Sequence, residues 1–267
     1  MNLSGARLPS AMSGHEFAAT LPDKWSWARE GKIVTEAMDG NIPDFMRTFC
    51  EVNASGRDTT GAERKLKLYV LPDYLSIGSD EDFVRVPLCP KSAQEIADKL
   101  QCMLPTKKMV DIVWAAAAVK LPPRGIQWDD KMETTSRFLQ HEKMVEKDRL
   151  GKPLGALTDG HKKNIAITNK LLDANGKFRK MVAIYGFHQL NGVPIQGLNA
   201  FSHDDSYTDY SHGTRLFSLT CELEGSQYAV KDVLQDPVLC GLLSDEGPLR
   251  LLAYPRCNLD PDPSTGI

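Results

Sequence analysis

The stretch Phe201–Arg215, FSHDDSYTDYSHGTR, constrains this chain more than any other. It holds two histidines, three aspartates, two tyrosines and three serines in fifteen residues. A polar side chain taken from water without a partner costs on the order of 1–3 kcal/mol by mutational data. So polar a segment is not expected as a core element. It reads as a solvated loop, or as the loop wall of a site where polar groups meet, and the site is the favoured reading.

The 267 residues suffice for one large domain or two small ones. With 42% apolar and 25% charged residues the composition is that of an ordinary globular chain. A net charge of −3 gives no basic footprint, so nucleic acid is not an expected partner. No apolar run approaches the roughly 20 residues that span a bilayer, and no membrane partner is expected. The first thirty residues show no charged region followed by an apolar one, which points to a cytoplasmic chain, with a removed leader as the alternative. Cys50, Cys89, Cys102, Cys221, Cys240 and Cys257 are scattered without a CxxC, as expected of reduced, mostly buried thiols.

Helical signals lie at His15–Thr20 and Trp27–Asp39, and Asn53–Glu63 has the composition of a loop. Strands are expected at Leu66–Val70, Leu75–Ile77 and Phe83–Val86. Ser92 and Glu95 have the spacing of a capping box, and Lys107–Ala118 follows as an apolar, central helix. Asp129–Leu150 reads as a polar surface helix with a thin stripe of Met132, Leu139 and Val145. Later come hairpin signals: Asn164–Leu171 with Lys177–Phe187, Asn191-Gly192 as a type I′ turn, and Glu224-Gly225. A short helix is expected at Asp236–Leu243, then a tail, Asn258–Ile267. The expected class is α+β, a helical N-terminal half packed on a C-terminal antiparallel β meander. It forms one domain over 1–267, or a helical cap 1–150 on a β-rich subdomain 151–267.

On the strand Lys177–Phe187, His188 sits at the end, before a tight turn, where it can enter a cleft or bond a turn carbonyl. His203, Asp205, Asp209 and His212, with His188 as a third imidazole, are a nitrogen- and oxygen-rich set that zinc would accept. The same residues suit acid–base work: His212 as base, Asp209 as its orienting carboxylate, His203 as a second acid–base group, and Arg215 as anion stabiliser. Ser211 and Cys102 compete as nucleophile. Tyr207, Tyr210 and Gln196 are substrate-binding candidates. Gly160-His161-Lys162-Lys163 reads as a solvated loop, and His15 and His141 receive no role.

Three partial resemblances attach to these residues. Ser211-His212-Gly213-Thr214-Arg215 resembles the signature of L,D-transpeptidases, with Val182–His188 similar to that family's earlier histidine strand. Thr214 stands where the family has its nucleophilic cysteine. Ser202-His203 followed by Asp209 resembles the metal motif of zinc D-alanyl-D-alanine peptidases, with the Asp one residue early and the later His-x-His absent. The order Cys102, then His188 or His212, is similar to the layout of papain-like cysteine peptidases, without their local motifs. The expected function is a hydrolase of an amide, peptide-like or ester bond on a small-molecule or peptide-like substrate. The rival is a non-catalytic sugar- or peptide-binding module built on the same aromatic and polar loop. In a third reading, those side chains only fix a long loop by internal hydrogen bonds.

Overall fold

The computed structural model describes residues 1–3 and 5–255; the expected tail and Cys257 lie outside them. Helices α1 (Gly14–Ala19) and α2 (Trp27–Met38) open the chain. A reciprocal cap between Ser13 and Glu16 starts α1, and the Ser26 side chain accepts from Arg29 N to start α2. The hairpin β1 (Cys50–Arg57) and β2 (Glu63–Val70) follows, then β3 (Ser76–Gly78) paired with β4 (Phe83–Arg85). Next come α3 (Pro90–Lys99), β5 (Cys102–Met103), α4 (Lys107–Ala116), β6 (Val119–Lys120) and α5 (Thr135–Arg149). The rest is β7 (Thr158–Asp159), β8 (Lys163–Ile165), β9 (Ile184–His188), β10 (Pro194–Asn199), β11 (His212–Gly213), β12 (Phe217–Ser218), β13 (Thr220–Leu223), β14 (Ser226–Ala229) and α6 (Val230–Gln235).

The division into a helical first half and a C-terminal meander does not hold. Helix and strand, 28% and 24%, are interspersed along the chain. The larger sheet runs β14-β13-β2-β12-β5 with β1 also on β2, so strands from both ends of the sequence share it. The second sheet runs β10-β9-β8-β11, and its β11–β8 pairing is parallel. The error has a local cause. Asn53-Ala54-Ser55-Gly56 looks like a loop, yet it forms half of β1, where only Val52 is fully buried. A strand with one face in water tolerates such composition, and β2 supplies its whole backbone ladder.

Smaller corrections follow from the same geometry. The α3 helix begins at Pro90 with Cys89 as its cap, so Ser92 lies inside it and no capping box forms. Proline suits that first turn because its missing N–H would be unpaired there anyway. At Asn191-Gly192 only the glycine takes positive φ (88°), so the turn is not type I′, whereas Glu224 (51°) and Gly225 (81°) both do. The last helix comes earlier than expected, at α6, and a 3₁₀ turn at Leu239–Leu242 replaces the rest. One apolar cluster draws residues from Leu3 to Tyr254, on both sides of the Gly151–Gly160 segment. Among the described residues no helix is long and apolar enough to cross a membrane.

Candidate functional site

The second sheet sets out the candidate residues. Gln196 pairs with Gly186, Gly186 with Lys163, and Lys163 with His212, so these four form one row across it. The polar segment that enters this row is solvated only at its start, where Phe201, Ser202 and Asp204 are exposed. From Thr208 to Arg215 every residue is buried, contrary to expectation. Burial is tolerated because neighbours supply partners. Asp209 Oδ1 accepts from the Ser211 amide (2.7 Å) and the Ser211 hydroxyl. The Tyr210 carbonyl accepts from Lys162 Nζ (2.7 Å), and its phenol oxygen accepts from Ile126 N (2.7 Å).

Asp209 Oδ2 is different. Tyr207 donates its hydroxyl to it at 3.3 Å, and Lys163 Nζ and His212 Nε2 stand 3.9 and 4.0 Å away. The His203 ring stacks on Tyr207 with centroids 3.7 Å apart, and Tyr207 meets His212 edge-on at 5.6 Å. His212 is fully buried, and neither ring nitrogen has a hydrogen-bond partner among the described residues. Burial pushes His212 down to about 4, Asp209 only partly opposing it. Burial alone would raise Asp209, but His212, Lys163 and the Ser211 bonds hold it below its ordinary value. Burial and the Asp209 charge push the Tyr207 phenol up, and burial lowers His203. At neutral pH a carboxylate, a neutral imidazole and a phenol therefore share one small volume with Lys163.

The remaining candidates separate from this centre. His188 stacks on Trp114 (5.1 Å, 12°), with Nε2 3.5 Å from Asp111 Oδ1, and Asp111 also accepts from Tyr185 and Lys107. Arg215 is buried, with its guanidinium over the Tyr74 ring (4.1 Å), and donates to the carbonyls of Leu71 and Thr158 and to Asp159. It holds protein rather than facing a substrate. Cys102 lies in β5 of the other sheet, not at a helix start, and burial pushes its thiol up to about 12. Ser211 is tied to Asp209 and Tyr210 to the Ile126 backbone, while Gln196 Nε2 donates to the Gly197 carbonyl. Among the described residues no group of three or more His, Cys, Asp or Glu side chains is arranged to hold a metal ion. His203, Asp209 and His212 do not form such a group.

Sequence reasoning missed an interior charged network. His161 and Lys162, read as a solvated loop, are buried, as are His141 and Glu142 of α5. Arg85 joins Asp73, Glu142 and Glu146, and His161 Nε2 lies 3.1 Å from Asp73 Oδ1. A signal was present: Phe138, His141, Glu142 and Val145 have the i, i+3, i+4, i+7 spacing of a buried helix face. Two of the four are polar, and the apolar-stripe reading passed over them. No protein-family profile, curated protein or solved structure matches the chain.

Proposed function

We propose that the chain is a hydrolase of an amide, peptide-like or ester bond, with its acid–base centre at Asp209, His212, Lys163 and Tyr207. One observation carries this reading. Three groups of different acidity surround Asp209 Oδ2 at 3.3–4.0 Å, and one of them is a buried imidazole with both nitrogens unpartnered among the described residues. Asp209 Oδ1 is satisfied by Ser211, and Oδ2 is left with the single Tyr207 hydrogen bond among the described residues.

In this mechanism a water attacks the carbonyl carbon and gives its proton to neutral His212, while Asp209 stabilises the imidazolium that forms. Lys163 stabilises the oxyanion. As the C–N or C–O bond breaks, the Tyr207 hydroxyl protonates the leaving group, and the imidazolium proton restores it. Ser211 and Cys102 are not nucleophiles in this scheme, since the Ser211 hydroxyl bonds Asp209 Oδ1 and not a His212 nitrogen, and Cys102 lies in the larger sheet.

The test is a panel of fluorogenic esters and amides, with wild type compared to His212→Ala of unchanged urea midpoint. Turnover should fall about 10²–10⁴-fold. The base must be unprotonated, so kcat/KM should hold level from pH 8 down past 6 and fall only towards about 4. Turnover unchanged by the substitution, or none on any substrate, would sink the proposal. The binding-module reading is favoured by the half-exposed His203–Tyr207 stack and by Phe201, which is 60% exposed. It predicts ligand affinity lost in Tyr207→Ala with no turnover in the wild type.

A further inference from the structure

We infer that a cavity beside the Asp209 centre is a subsite for an uncharged, hydroxyl-bearing ring of the sugar class. This extends the hydrolase reading to a substrate class, and rests on it for where such a substrate would react. The cavity measures about 360 Å³ and is lined by Asp23, Lys24, Trp25, Asp130, Lys131 and Glu133, among others. That volume is within the range of small-molecule sites, about 300–1,000 Å³.

Its walls are pinned to one another and to the site segment. Thr135 N donates to the Asp23 carbonyl (2.7 Å) and Ser136 N to Asp23 Oδ1 (2.8 Å). Arg29 donates to the Glu133 carbonyl (2.6 Å). Tyr210 N donates to the Met132 carbonyl (3.1 Å), which joins the cavity wall to the strand-entry segment that carries Asp209 and His212. The Glu133 carboxyl accepts no hydrogen bond from any described residue. Burial raises it, Arg29 opposes that, and the charges of Asp209 and Asp204 raise it further, so it lies within electrostatic reach of the centre.

Trp25 is half-buried with its Nε1 turned into the protein, so the indole offers carbon to the cavity. Three carboxyls, Asp23, Asp130 and Glu133, face two lysines, Lys24 and Lys131, and the Ser136 hydrogen bonds hold Asp23 below its ordinary value. That excess of carboxyls disfavours an anionic guest and supplies acceptors for hydroxyl groups. A sugar ring fits both features: its C–H face packs on the indole, and its hydroxyls donate to the carboxylates and accept from the lysines.

The experiment follows the ¹H–¹⁵N resonance of the Trp25 indole, assigned with Trp25→Phe, in the full chain. Titrants are glucose, galactose and N-acetylglucosamine, with choline and glutamate as charged comparators. At least one sugar should give a saturable shift with a dissociation constant on the order of 1 mM, weakened at least about tenfold in Glu133→Gln of unchanged melting temperature. A saturable shift with choline or glutamate alone, or none with any titrant, overturns the inference. Sugar binding without turnover would sink the hydrolase and keep the subsite; turnover on the panel without sugar binding would do the reverse.

Discussion

The Arg85 network and the Asp209 centre both bury charge, and they do so in opposite ways. Arg85 donates to Asp73 Oδ2 at 2.7 and 3.1 Å, to Glu142 at 2.6 Å and to Glu146 at 2.7 Å. The other Asp73 oxygen accepts from the Tyr74 amide and lies 3.1 Å from His161. These groups are in contact through Arg85, while Glu142 Oε2 and His161 Nδ1 stay without a hydrogen-bond partner among the described residues. Around Asp209 Oδ2 the neighbours stand back at 3.3–4.0 Å. The contrast is one of distance: Arg85 bonds three carboxylates directly, whereas the Lys163 and His212 nitrogens stop 3.9 and 4.0 Å from Asp209 Oδ2. The same difference separates Arg215, locked on Asp159 and two carbonyls, from Lys163.

The comparison breaks first at Arg85. Arg85→Met leaves Asp73 and Glu142 buried without their cation, and urea unfolding should show a loss of about 3–5 kcal/mol. A loss below about 1 kcal/mol, the range of an exposed pair, would mean that the network is not closed.

The second prediction concerns pH. The folded value of His212, about 4, lies below its ordinary 6.5, so the unfolded chain binds more protons between them. Its contribution is complete above pH 6.5 and is lost as pH falls towards 4. At pH 5 the wild type should have lost about 2 kcal/mol more, relative to pH 7.5, than His212→Gln. Equal losses in the two proteins would place His212 in a solvated setting and remove the contrast with Arg85.

Smaller effects sharpen the assignment of roles. Ser211→Ala removes one hydroxyl bond to Asp209, at a cost of about 1 kcal/mol, and should leave turnover within about threefold. A loss of turnover as large as that of His212→Ala would make Ser211 the nucleophile. The least effect belongs to Cys102: a thiol reagent mapped by peptide mass should modify half-buried Cys50 long before buried Cys102. Fast labelling of Cys102 would return it to the candidates.

Much of the local order was legible. The helices expected at His15–Thr20, Trp27–Asp39 and Lys107–Ala118 form as α1, α2 and α4, and the structure shows Ser13, Ser26 and Thr106 accepting from their first turns. The crowding of Asp209, Ser211 and His212 was legible too, and the structure keeps these residues adjacent. Their exposure was not, because a polar run is stable inside when other elements bring partners. Lys162 and Ile126, which hold Tyr210, lie 48 and 84 residues from it.

The concentration of titratable side chains in one segment was determined by the sequence alone, whereas the Ser92–Glu95 box and the type I′ turn at Asn191-Gly192, equally local patterns, did not form. Only the tertiary structure decided that β1 and β2 join β12, β13 and β14, that Lys163 lies between the strands of His188 and His212, and that Arg215 turns inward to Asp159. Those outcomes depend on pairings across the whole chain. Whether a buried charge ends in contact with a partner, or just short of it, depends on distances that no local pattern encodes.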